Sequence, residues 1–190
     1  MKDSGRLQGR GGQAGMLNIL VVEDEPLLAE TLRHLIELNP RYIVTGVAAD
    51  SAGALAAAAR KRPDLALVDL HLANGSSGFS VAARLGDMGI ACLFTSGKAP
   101  SFPIPDLALG CLVKPFSEED LVRALRAAED IVRGRAPLRP SRPDNLRLYA
   151  EEDARGEEAP VPVIPRTGSH SLKTRLSGWW RANERRDSFG

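Results

Sequence analysis

The chain has 190 residues, 43% of them hydrophobic and 26% charged, a balance that suits one packed domain with appendages. A formal net charge of +1 argues neither for nor against nucleic acid, and two cysteines exclude a disulfide scaffold and favour a reducing compartment. No run approaches the ~18 apolar residues of a membrane span, and residues 1–15 lack the apolar core of a signal peptide, so the expected location is the cytoplasm.

Residues 1–15 are rich in glycine and nearly devoid of aliphatic side chains, so a disordered extension is expected there. Met16, directly before the first strand-like run, is a candidate translation start. Leu17 to Val22 is a continuous aliphatic run, as in a strand buried on both faces. Glu25 to Leu38 follows with Leu28, Leu32, Leu35 and Ile36 at helical spacing. Asp24 or Glu25 can cap this helix, Pro26 suits its first turn, and Asn39-Pro40 ends it. Tyr42 to Ala48 reads as a second strand. Asp50 or Ser51 caps an Ala-rich helix running to about Arg62, and Leu65 to Val68 is a third buried strand that ends at Asp69-Leu70.

Asn74 to Gly78 is a turn, and a helix follows from about Phe79 to Leu85. Ile90 to Thr95 is a fourth strand. Pro100, Pro103 and Pro105 break the next segment, leaving room for a short helix over Asp106 to Leu109. Cys111 to Val113 is a fifth strand. Ser117 with Asp120 three residues on resembles a capping box for a helix running to about Arg133. Strand and helix thus alternate five times, which predicts an α/β doubly wound parallel sheet. The order 2-1-3-4-5 of flavodoxin-like folds would gather the carboxyl ends of strands one, three and four. From 134 to 190, prolines and charges replace aliphatics, and a largely disordered linker and basic tail are expected.

The polar residues at the strand ends carry the chemistry. Strand one ends in Glu23-Asp24, strand three in Asp69, strand four in Thr95-Ser96 and strand five in Lys114-Pro115. A parallel sheet brings these ends to one rim. Clustered carboxylates repel unless a cation joins them, and a hard divalent ion such as Mg²⁺ suits a few oxygen ligands plus waters. Asp69 is then placed as a nucleophile toward a phosphoryl donor. Lys114 and Thr95 can serve the phosphoryl oxygens.

Val21-Val22-Glu23-Asp24-Glu25, Leu67 to Leu72, Gly75 to Gly78, Phe94-Thr95-Ser96 and Lys114-Pro115-Phe116 together resemble the receiver domain of two-component response regulators, in its single-domain, CheY-like form, over residues 16–133. The resemblance implies that Asp69 is the phosphoacceptor, that Asp24 is a direct Mg²⁺ ligand and Glu23 acts through a metal-bound water, and that His71 offers its backbone carbonyl to the metal. It also implies that Thr95 is the switch hydroxyl, Lys114 the phosphate-pairing lysine, and Pro115 a cis-proline. The implied partner is a sensor histidine kinase or a histidine phosphotransfer protein.

Three features depart from the family pattern. Cys111 stands where a ring is usual, which puts the threonine–aromatic coupling in doubt. The prolines shorten or abolish the start of the fourth helix, part of the usual signalling face. Ala73 replaces a frequent proline. The bland readings are a helix cap for Glu23-Asp24, a loop side chain for His71, and buried small hydrophobes for Cys92 and Cys111. Toward the C-terminus, Leu172, Leu176, Trp179 and Trp180 fall at helical spacing among basic residues. That pattern suits either an amphipathic helix over 171–183, docking on a membrane or a partner, or an unstructured tail.

Three functions compete. The first is a phosphorylatable module that signals through protein contacts, with no DNA-binding effector and no nucleic-acid partner, since little core-forming sequence follows Gly134. The second is a phosphate-independent adaptor with the same fold. The third is an aspartyl-phosphate-forming phosphohydrolase, which needs a second acid where His71 stands.

Overall fold

The structure, a computed structural model, describes residues 15–135 and 142–149. The expectations for residues 1–14 and for the tail helix over 171–183 lie outside the described residues.

Five parallel strands are β1 (Leu17–Val22), β2 (Tyr42–Ala48), β3 (Leu65–Asp69), β4 (Ala91–Ser96) and β5 (Gly110–Val113). Among the described residues, four helices accompany them: α1 (Pro26–Glu37), α2 (Ser51–Arg60), α3 (Gly78–Asp87) and α4 (Glu118–Val132). The order is β2-β1-β3-β4-β5, as expected, and a sixth strand, β6 (Leu146–Leu148), extends the sheet antiparallel to β5. β1 and β3 are buried on both faces because each is sandwiched between helix layers, which is why their sequences are unbroken aliphatic runs. Leu32 and Ile36 of α1 pack with Leu121 and Leu125 of α4 on one face, against Ile19, Val21, Leu65 and Leu67. Ala54 and Ala58 of α2 and Val81 and Leu85 of α3 cover the other face, against Leu20, Val22, Ala66 and Val68.

Two expectations change. The fourth crossover carries no helix: residues 105–107 form a turn, and Ile104, Leu107 and Ala108 pack onto the core from irregular backbone. Proline lacks an N–H and clashes with the preceding turn, so Pro103 and Pro105 leave too few consecutive residues for a helix before β5. The second change is β6, within the segment expected to be linker. Leu146 and Leu148 join the α1–α4 side of the core, and the fully buried Tyr149 joins the other. Gly110 makes this approach feasible, because a Cβ there would lie 2.1 Å from the Arg147 carbonyl oxygen.

The caps resolve the choices left open by sequence. Asp50 caps α2 by accepting from the Gly53 N–H at 2.8 Å, whereas Glu25 precedes α1 without a side-chain cap. Ser117 and Asp120 form a full capping box on α4, with aspartate taking the role usually held by Glu or Gln. Backbone N–H groups hold both aspartate carboxyls below the usual range, with Gly53 the main donor to Asp50 and Ser117 to Asp120. A lowered carboxyl contributes stability that is complete above its ordinary pKa and is lost as pH falls through the lowered value. As pH falls below about 4, α2 is therefore expected to lose the Asp50 cap and α4 the Asp120 half of its capping box, while the Ser117 hydroxyl still accepts from the Asp120 N–H. Circular dichroism against pH checks this: Asp50→Asn should flatten the acid transition, and an unchanged profile would remove Asp50 from the account.

Both cysteines are buried, and burial pushes the Cys92 thiol up to about 12 and that of Cys111 up to about 11. Reactivity follows the thiolate. A thiol reagent at about pH 8 should label neither cysteine in the native protein and both after denaturation. Native labelling of either would contradict this packing.

Candidate functional site

β3 is paired on both sides, with Val22 opposite Val68 and Asp69 opposite Thr95, so its carboxyl end is fixed between the ends of β1 and β4. The Asp69 side chain lies there, almost wholly buried. Two features hold it. The His71 N–H donates to its Oδ1 at 2.9 Å, and the start of α3 closes over the strand end. Gly78 opens that helix, and its N–H donates to the Leu70 carbonyl at 3.1 Å. A Cβ at this position would sit 2.2 Å from the Asp69 carbonyl oxygen, so only glycine allows the turn to approach. The Gly78 signal lies in plain view as the end of Asn74-Gly75-Ser76-Ser77-Gly78, but spacing alone cannot tell a close approach from an ordinary turn.

Lys114 reaches the same point from the end of β5, over a cis peptide bond to Pro115. Its ammonium donates to Glu23 Oε2 at 2.8 Å and to Asp69 Oδ2. Glu23 is buried, and burial pushes its carboxyl above the usual range against the opposing pull of Lys114. For Lys114, burial works to lower the pKa, but the hydrogen bonds to Asp69 and Glu23 outweigh it, and the ammonium stays charged beyond its ordinary range. A raised lysine pKa contributes stability that is complete at neutral pH and lost only as pH climbs through the raised value. Thr95 is buried directly across the ladder from Asp69, and its carbonyl accepts from the Leu70 N–H at 3.2 Å. Asp24, half-buried, follows Glu23 at the end of β1 and makes no hydrogen bond or ion pair among the described residues.

The structure thus joins Glu23, Asp69, Lys114 and the His71 backbone by direct bonds. It sets Thr95 beside Asp69 by register and leaves Asp24 at the same rim, unbonded. Sequence reasoning missed Asn145. Its carbonyl accepts from the Val113 N–H at 2.9 Å, and its Nδ2 donates to the carbonyls of Val113 at 3.2 Å and Pro115 at 3.4 Å, on either side of Lys114.

The model of the response regulator receiver domain matches residues 19–126, more than half of the chain. The chain belongs to this family. Receiver domains of this kind work in two-component systems, where phosphorylation and Mg²⁺ are typical and the interaction partners are histidine kinases or phosphotransfer proteins. Among curated proteins, the receiver chain is similar to the positive alginate biosynthesis regulatory protein of Pseudomonas aeruginosa, 32% identical over 141 residues, covering 70% of this chain and 51% of that one. It is also similar to the DNA-binding response regulator MtrA of Mycolicibacterium smegmatis, 37% identical over 117 residues, covering 57% of this chain and 49% of that one. The chain therefore spans about half the length of these relatives. Among solved structures it resembles a two-component response regulator of the LuxR family from Aurantimonas sp. SI85-9A1, with a TM-score of 0.56 and 26% identity, covering 74% of this chain and 99% of that one. Among the described residues, no helix is long and apolar enough to cross a membrane.

Proposed function

We propose that this receiver accepts a phosphoryl group on Asp69 from a histidine kinase or histidine phosphotransfer protein, and signals through protein–protein contacts in the cytoplasm. The observation that carries the reading is the Lys114 ammonium bonded to both Asp69 and Glu23 at the rim of the parallel sheet. An Asp69 carboxylate oxygen attacks phosphorus, a P–O bond forms, and the P–N bond to the donor imidazole breaks with its electron pair leaving on nitrogen. Lys114, already at the acceptor oxygen, neutralises charge on the transferring group. The Thr95 hydroxyl, on the neighbouring strand, would donate to a phosphoryl oxygen.

The residues present fit Mg²⁺. Glu23, Asp24 and Asp69 offer hard oxygen donors, and Asp24 has no competing partner among the described residues. No group of three or more His, Cys, Asp or Glu side chains forms an all-protein cage among the described residues, but Mg²⁺ needs only one or two carboxylates with waters. Asp24, Asp69 and the His71 carbonyl would hold it directly, with Glu23 acting through a water. The ion would supply charge neutralisation of the phosphoryl oxygens. As for output, relatives such as MtrA are named as DNA-binding. Here we favour protein contact, with the basic C-terminal segment as a docking candidate.

Incubation with acetyl phosphate and Mg²⁺ tests the proposal. One phosphoryl group should add to the intact mass and map to Asp69. Absence of labelling would favour the phosphate-independent adaptor. Continuous turnover of phosphomonoesters would favour the phosphohydrolase, although a histidine stands where that chemistry needs an acid.

A further inference from the structure

β6 pairs with β5 through Gly110–Leu148, Cys111–Arg147 and Leu112–Leu146, so the segment before Leu146 arrives at the end of β5 that carries Lys114. Asn145 is that segment's last residue. Its three hydrogen bonds grip the two neighbours of Lys114, while the Lys114 N–H itself donates to the Ser96 carbonyl at 2.7 Å on the opposite side. The Asn145 amide also lies against Asp120, whose carboxyl closes the cap of α4 just beyond Pro115. Lys114 is thus held between β4 and a residue about thirty positions further along the chain.

We infer that Asn145 is a positioning residue for Lys114, fixing the backbone from which the ammonium reaches Asp69. The inference rests on the phosphoacceptor reading above. Lysine carries its charge on a flexible four-carbon stem, so the ammonium is only as well placed as its Cα. A displacement of about 1 Å at a group that must meet a reacting oxygen costs up to ~10²-fold in rate. The amide supplies what other side chains at this site cannot. Two N–H donors face carbonyls on both sides of the cis bond, and the same residue accepts in the β5–β6 ladder. The strand that carries it is anchored independently, by the burial of Leu146, Leu148 and Tyr149. Losing the amide therefore need not undock the strand.

The full chain is compared with Asn145→Ala, with Asn145→Asp, which keeps the shape but reverses the donor, and with Arg147→Ala on the exposed face of the same strand. Both Asn145 variants should lower the maximal acetyl-phosphate labelling rate by roughly ten- to a hundredfold. The Mg²⁺ concentration for half-maximal rate should stay within about twofold, and Cys111 should remain closed to a thiol reagent. Arg147→Ala should label at the parent rate. A parent-like maximal rate in both Asn145 variants overturns the inference. So does a slowed rate accompanied by Cys111 labelling, since the defect would then be a detached strand. The Lys114 ammonium resonance, recorded by NMR at one neutral pH, reads its hydrogen bonding to Asp69 and Glu23 without any phosphorylation. In Asn145→Ala that resonance should move toward the position of a solvent-exposed lysine, and an unmoved resonance is equally decisive against. If the parent chain takes no phosphate at all, the phosphoacceptor reading fails, while the resonance still decides the role of Asn145.

Discussion

Asp69→Asn should abolish phosphoryl labelling while leaving a folded protein whose stability lies within about 1 kcal/mol of the parent. Two opposed effects set the second half of that expectation. The substitution removes one of the two carboxylates bonded to Lys114, a charge-assisted contact of about 1.5–3 kcal/mol. It also relieves the repulsion between Asp69 and the buried Glu23, which helps push the Glu23 carboxyl up. Glu23 keeps its 2.8 Å bond to Lys114, so a one-to-one ion pair survives where three charges met before. The amide retains volume and can still accept from the His71 N–H. Labelling, by contrast, loses its nucleophile entirely, because an amide oxygen cannot carry the phosphoryl group as an acyl phosphate. Intact mass after acetyl-phosphate treatment, together with urea denaturation, reads both halves. Persistent labelling would move the acceptor elsewhere, and a loss of several kcal/mol would make Asp69 a structural residue.

Glu129→Ala should be the most destabilising single change at a charged position, at about 3 kcal/mol. The Glu129 carboxylate is 3% exposed on the inner side of α4. It accepts from Arg41 at 2.5 Å, from Arg133 Nε at 2.8 Å and from the Tyr42 hydroxyl at 3.1 Å, tying the start of β2 to the end of α4. Burial, reinforced by the negative charge of Glu129, pushes the Tyr42 hydroxyl well above its usual pKa. Truncation leaves that buried hydroxyl without its acceptor and the Arg41 guanidinium without its carboxylate, while Arg133 keeps only the Gly15 carbonyl. Arg41 is half exposed and can turn to water, which limits the loss; Tyr42 cannot. A fall in Tm on the order of 10 °C follows, and Glu129→Gln, which keeps an acceptor, should lose less. A drop below about 1 kcal/mol would show that solvent already screens the cluster.

Most of the sheet is legible in the chain because period and burial agree. Leu17 to Val22 and Leu65 to Val68 read as doubly covered strands and are so. The site is legible for a related reason: a parallel sheet sends every carboxyl end to one rim, so Glu23, Asp69 and Lys114 meet without any need to know their side-chain angles. Thr95 follows from the same register. What escapes the sequence is of two kinds. Leu146-Arg147-Leu148 alternates as a strand should, but three residues between prolines and charges give too short a signal to separate from linker. Asn145 and Gly78 act through backbone approach, and their importance depends on atoms far away in the chain. The missing helix between β4 and β5 was half visible, since three prolines forbid its start but say nothing of whether a turn can follow.

β6 also bears on how copies of this molecule meet. An uncovered β5 would present a row of free amide and carbonyl groups, the template on which a stranger's chain can add itself. Three residues from the same polypeptide now occupy that row, and Pro143 just upstream has no N–H to extend it. At the opposite border, β2 pairs with β1 through an irregular register between Ile19 and Leu20. One margin of the sheet is therefore a strand of only three residues and the other is uneven, two features that lower the tendency of a sheet edge to take on a foreign strand.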